Sequence, residues 1–190
     1  MLFPKVVEMP ALEILDTFLD SVMLVGLNRF MDQRGHFTET FRAEWFADLL
    51  PGRTFVQDSE SYNTVRGILR GLHCQKEPGQ QLQIVRVVRG AIFDVAVDLR
   101  PRSPTFGQYR AYELSEESST MLVVPEGFGH GFCTLCDNTF VLYKASAYYR
   151  QEFDAGVRWN DPEIGINWPV EYPAISTKDS KLPLLAELKV

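Results

Sequence analysis

The chain has 190 residues, 45% of them hydrophobic, which is enough to bury one sizeable core and reads as a single domain spanning 1–190. Its formal charge of −6 excludes a general nucleic-acid binder, which would carry a basic face. Acids at Glu8, Glu13, Asp16 and Asp20 break the N-terminal apolar stretch and exclude a secretory leader. No run approaches the roughly 20 apolar residues of a membrane span.

Residues 1–25 form an N-terminal extension, in which 11–25 fit either a short amphipathic helix or an opening strand. Asp32 to Gly35 is a polar turn leading into an alternating strand over 36–41, with Phe37 and Phe41 on one face. Residues 43–50 read as a short helix ended by Pro51-Gly52. From Phe55 onward strands separated by turns take over. They are expected at 68–75, 81–88, 91–99, 108–114, 121–124, 132–135 and 140–148, with a loop at 101–107 and a turn at 125–131. The proline-rich 150–190 segment, with Pro162, Pro169, Pro173 and Pro183, is expected to wrap the strands as extended chain. Many short strands with little helix predict an all-β sandwich or barrel.

Three cysteines, Cys74, Cys133 and Cys136, are expected to be reduced thiols in a cytoplasmic protein. The Cys133-x-x-Cys136 spacing has no second pair to complete a zinc site. Histidine is equally sparse: His36, His73 and His130 stand apart, without the clustered ligands of a metal cupin. No metal and no cofactor is expected. Arg34, Arg70, Arg86, Arg89 and Lys144 are cations available to an anionic ligand.

Pocket mouths of small β-barrels collect inward-facing polar groups from neighbouring strands. His73 and Gln75 share a strand face, Gln81 and Gln83 another, with Asp94 and Asp98 beyond and Tyr143 late in the sheet. A histidine, a tyrosine and a carboxylate converging there suit proton transfer at carbon, one group removing a proton and the other returning it.

Six motifs resemble one family. They are D-Q-R-G-H-F-T-E at 32–39, L-R-G-L-H-C-Q at 69–75, F-D-V-A-V-D-L-R at 93–100, S-P-T-F-G-Q at 103–108, V-P-E-G-F-G-H-G-F at 124–132 and W-N-D-P-E-I-G-I-N-W-P at 159–169. The resemblance is to the dTDP-4-dehydrorhamnose 3,5-epimerases, and it runs from about Asp32 to Leu182. It implies a cupin jelly roll, a homodimer without cofactor, and inversion at C3 and C5 of a nucleotide-linked 4-keto-6-deoxyhexose. It also implies His73 as the base, Asp179 as its orienting acid and Tyr143 as the proton donor. Arg70 and His130 would hold diphosphate and sugar. Arg34, Phe37 and Glu39 would hold the nucleotide across the dimer interface, and Gln57, Ser59, Asp154 and Lys178 match further substrate-binding positions.

Three positions depart from the family pattern. Gln83 stands where a lysine beside the substrate's C4 oxygen is expected. Loss of such a cation removes charge stabilisation worth about 3 kcal/mol in oxyanion-hole deletions, although an amide still donates a neutral hydrogen bond. Ser59 replaces an asparagine, and Cys74 a tyrosine. These changes leave open a variant sugar, inversion at one carbon only, or a non-catalytic sugar-nucleotide binding protein.

Overall fold

The computed structural model describes residues 12–19 and 21–188, so Glu8 and Asp20 lie outside the described residues. Among the described residues fourteen strands carry the fold. β1 (Glu13–Phe18), β2 (Val22–Gly26), β10 (Thr120–Val124), β7 (Gln83–Arg89), β12 (Thr139–Ala145) and β5 (Gln57–Asn63) make one antiparallel sheet in that order. The second sheet runs β13 (Asp154–Gly156), β6 (Ile68–Gln75), β11 (Phe128–Thr134), β8 (Ala91–Asp98) and β9 (Tyr109–Ser115), with β14 (Ala174–Ile175) parallel to β6. β3 (Phe30–Asp32) and β4 (Gly35–Phe37) form a separate hairpin. This is an all-β jelly-roll architecture.

Alternation along the strands decides what each sheet buries. Val85, Val87, Leu122 and Val141 from the first sheet meet Ile92, Ala96, Leu114 and Phe132 from the second in one sealed core. The outer face of the first sheet presents Ile84, Met121 and Val123, covered by the helix α1 (Ala43–Leu49). Its Phe46 packs with Phe41 at a ring separation of 5.5 Å and with Phe55 at 5.6 Å, and those two rings lie 5.4 Å apart. The outer face of the second sheet presents Leu72, Val95 and Val97, covered by Val157, Ile164 and Leu185 of the C-terminal segment. β10 and β11 are therefore buried on both faces.

Several expectations need correction. Glu13–Phe18 and Val22–Gly26 are two strands, which ends the ambiguity between helix and strand there. The strand expected over 36–41 stops at Phe37, because Phe41 is drawn into the aromatic cluster under α1 while Phe37 stays exposed. The turn expected over 125–131 is confined to 125–127, and 128–131 already belong to the fully buried strand β11. Its glycines mark close packing: a Cβ on Gly129 would lie 2.7 Å from the Leu99 side chain, and one on Gly131 2.6 Å from the Arg70 carbonyl.

Candidate active site

A cavity of about 580 Å³ opens between the two sheets, lined by β6 and β11 on one side and β7 and β12 on the other. His73, Arg70, His130, Tyr143, Gln83, Asp154, Lys178 and Asp179 all border it.

Arg70 and His73 are three residues apart, so strict alternation would send them to opposite faces. The β6–β11 register resolves this: His73 pairs with His130 and Arg70 with Phe132, so β6 holds one extra residue between them. That bulge contains Gly71, at φ +122, where a Cβ would meet Gly131 Cα at 2.6 Å and the His130 carbonyl at 2.8 Å. Glycine at 71 and 131 thus lets the strands approach closely enough to turn both side chains into the cavity.

Asp179 arrives from the C-terminal segment, at the start of a short 3-10 turn over Asp179–Lys181. Its Oδ1 lies 2.8 Å from His73 Nε2, its Oδ2 accepts the Gly71 N–H at 3.1 Å, and its own N–H donates to Ser176 Oγ at 3.0 Å. Burial alone would raise this carboxyl, but the His73 bond and charge, with the Gly71 and Ser176 bonds, bring it below its ordinary value. A carboxylate accepting at Nε2 places the ring proton there and leaves the Nδ1 lone pair free to take a proton.

Tyr143 enters from the opposite sheet, on β12. Burial, reinforced by the Asp94 charge, pushes its hydroxyl well above the ordinary tyrosine range, partly offset by a bond to Ser61 Oγ and by the Arg70 charge. It therefore stays protonated through the neutral range, as a proton donor must. Behind it His130, expected to hold diphosphate and sugar, is buried and bonded through Nε2 to the buried Asp94 Oδ1 at 2.6 Å. Its ring meets the Tyr143 ring edge-on, centroids 6.2 Å apart.

At the rim Lys178 pairs with Asp154, and this contact outweighs burial to raise the lysine. Gln83 Nε2 donates to Gln81 Oε1 at 3.3 Å, and Gln81 Nε2 donates to the Ala147 carbonyl at 2.7 Å.

Five expected ligands lie outside the cavity of their own chain. Arg34 is held by Asp32 on the β3–β4 hairpin, Phe37 stands exposed beside it, and Glu39 pairs with Arg42. Gln57 and Ser59 bond each other at the first sheet's edge, and neither borders the cavity. Gln57 Oε1 instead accepts from the Tyr149 backbone N–H at 2.9 Å. Lys144 pairs with Asp58 on the outer face. Tyr149, Ser61 and Asn63 were not legible as site residues: Tyr149 follows another tyrosine, and the other two sit in a polar strand without apolar alternation. Among the described residues no group of three or more His, Cys, Asp or Glu could hold a metal, and Cys74, Cys133 and Cys136 are free thiols.

A family model for dTDP-4-dehydrorhamnose 3,5-epimerase matches residues 16–187. The chain belongs to this family. A dTDP-4-dehydrorhamnose 3,5-epimerase of Sinorhizobium fredii is 48% identical over 170 residues, 89% of this chain and 87% of that protein. The crystal structure of the Bacillus anthracis epimerase with TDP and pyrophosphate bound superposes with a TM-score of 0.89, at 46% identity, covering 92% of this chain and 99% of that one. The Legionella pneumophila 3,5-epimerase in complex with dTDP-4-keto-L-rhamnose also gives a TM-score of 0.89, at 37% identity, covering 94% and 95%. The family's cupin-type jelly roll is the fold described above. Among the described residues no helix is long and apolar enough to cross a membrane.

Proposed function

We propose that this epimerase-family protein inverts C3 and C5 of a dTDP-linked 4-keto-6-deoxyhexose, with His73 as base, Asp179 as its orienting acid and Tyr143 as proton donor. The observation that carries the reading is that His73 and Tyr143 come from opposite sheets and border one cavity. Inversion needs that arrangement, because the proton must leave one face of a carbon and return to the other.

Protons at C3 and C5 flank the C4 ketone, so removing either gives an enolate with its charge on the C4 oxygen. His73 Nδ1 takes the proton, and Asp179 stabilises the ring as it becomes charged. Tyr143 then gives its hydroxyl proton to the opposite face. Asn63 occupies Arg70 Nε, so both Nη groups remain for the diphosphate, with Lys178 a second cation at the rim. Tyr149, at the cavity wall, offers an aromatic face to a nucleobase. His130 closes the back of the sugar site. Gln83 donates a neutral hydrogen bond toward the C4 oxygen.

The reading takes 1–190 as one catalytic domain of a cytoplasmic homodimer without cofactor. Reduced thiols at all three cysteines suit that compartment. The β3–β4 hairpin exposes Phe30, Met31 and Phe37 on a two-stranded ribbon, which is marginal without a partner. A second copy packed there would bring Arg34, Phe37 and Glu39 to the neighbouring cavity and complete the nucleotide site. Sedimentation should give a dimer; a fully active monomer would sink the shared site.

The deciding experiment follows deuterium from solvent into dTDP-4-keto-6-deoxyglucose. Incorporation at C3 and C5 with epimer formation is expected. Incorporation at one carbon alone would make the protein a mono-epimerase. Tight binding without exchange at either carbon would leave a binding protein and overturn the enzyme reading.

A further inference from the structure

The fully buried Asn63, at the end of β5, bonds to two sides of the cavity at once. Its Oδ1 accepts from Arg70 Nε at 2.9 Å, while its Nδ2 donates one hydrogen to the Thr139 carbonyl at 3.2 Å and shares the other between Ser61 Oγ at 3.3 Å and the Ser61 carbonyl at 3.4 Å. Ser61 Oγ in turn lies 3.4 Å from Tyr143 Oη. The orientation of the amide is fixed by chemistry, because a guanidinium only donates and a carbonyl only accepts. With Nδ2 donating to its oxygen, the Ser61 hydroxyl has its hydrogen free for Tyr143 Oη. The Tyr143 hydrogen is then free to point into the cavity.

We propose that Asn63 is a positioning residue that couples the ligand-holding Arg70 to the proton donor Tyr143 through the Ser61 hydroxyl. The proposal rests on the epimerase reading of the cavity. In the delivery step the Tyr143 O–H bond breaks and a C–H bond forms with the enolate's electron pair. The negative charge moves to the phenolate oxygen, where the Ser61 O–H receives it. Asn63 acts on this step only through Ser61, and on ligand binding only through Arg70.

The test measures kcat, KM and the ratio of deuterium washed into recovered substrate to epimer formed. It uses the full-length wild type, Ser61→Ala, Asn63→Ala and the double variant. Ser61→Ala should lower kcat about tenfold, the effect of one lost hydrogen bond, with KM unchanged. Its exchange-to-epimer ratio should rise, because His73 still removes and returns protons on its own face while delivery from the other face slows. Asn63→Ala should raise the ratio similarly and also raise KM severalfold. In the Ser61→Ala background, Asn63→Ala should still raise KM but leave the ratio where Ser61→Ala set it. If Asn63→Ala fails to fold, Asn63→Asp keeps an acceptor for Arg70 and loses the donor to Ser61, so the ratio should rise with KM near wild type. An unmoved ratio in Ser61→Ala, or an Asn63→Ala effect on it that ignores Ser61, overturns the relay. Absence of exchange in the wild type overturns the epimerase reading instead.

Discussion

Asp179 lies 106 residues from His73 in sequence, yet its Oδ1 sits 2.8 Å from the imidazole Nε2. Its second oxygen holds the Gly71 N–H, so one buried carboxylate fixes both the ring and the bulge that aims it. The contact therefore sets the tautomer and the direction of the imidazole together.

Removing the base and removing its orienting partner should differ in kind. His73→Ala should abolish solvent exchange at C3 and C5. Asp179→Asn keeps the bulge anchored but donates where it should accept, which favours the wrong tautomer. A fall in turnover on the order of 10³-fold or more is expected, by analogy with other histidine–carboxylate pairs. Full exchange in His73→Ala would show that another group is the base.

The Asp179 carboxyl also links stability to acid. Its folded value is depressed, chiefly because the His73 contacts and the Gly71 and Ser176 bonds overcome the burial that would raise it. Its contribution is fully present above the unfolded value of about 3.9 and is lost as pH falls through the lower folded value. Wild type should therefore unfold at a higher temperature than Asp179→Asn at pH 5, and the two should converge as pH falls below about 4. Convergence near neutral pH would mean that the carboxyl is not held ionised.

Much of this site was readable from residue types, because proton transfer at carbon needs few of them and the chain has only three histidines. The lone His73, the late Tyr143 and the family motifs led to one cavity. What failed to show in the sequence was tertiary. Gly129 and Gly131 look like turn residues but are packing residues, since it is the approach of the Leu99 side chain and the Arg70 backbone that leaves no free room for a Cβ there. β5, with the sequence QDSESYN, carries no apolar alternation, so neither the strand nor the buried Asn63 announces itself. The Asp94–His130 contact joins strands 36 residues apart, and no spacing rule signals it. Arg34, Phe37 and Glu39 have no place in the cavity of one chain, because nothing in a single chain's folding brings the hairpin there.

The bulge itself can be tested. Gly71→Ala would put a methyl 2.6 Å from Gly131 Cα and 2.8 Å from the His130 carbonyl, against the β11 backbone, at a φ of +122 that side chains rarely adopt. The loss should exceed the roughly 1–3 kcal/mol typical of backbone strain alone, because β6 and β11 must also separate. Activity should fall with it as Arg70 and His73 lose their shared face. A folded, active Gly71→Ala protein in calorimetry and turnover assays would show that the bulge is not needed.

In the proposed reaction Gln83 is the cavity residue whose charge bears most on the enolate. Its Nε2 donates to Gln81 Oε1, and Gln81 is anchored on the Ala147 carbonyl, so the pair forms a neutral amide strip along the cavity wall. In Gln83→Lys an ammonium would replace the amide. Gln81 Oε1 could still accept from it, so the strip need not break. A cation facing the developing C4 oxygenate stabilises the transition state more than the neutral ketone, which raises kcat more than it lowers KM. The ceiling is the roughly 3 kcal/mol lost when one oxyanion-hole donor is deleted; desolvating the ammonium in a cavity that Arg70 also lines reduces it, so a gain of about tenfold on dTDP-4-keto-6-deoxyglucose is expected. An unchanged or lower rate would mean that Gln83 is matched to another 4-keto sugar, one that offers a hydroxyl to its free Oε1. Assaying both proteins on a panel of nucleotide-linked 4-keto sugars would then identify it as the substrate on which glutamine outperforms lysine.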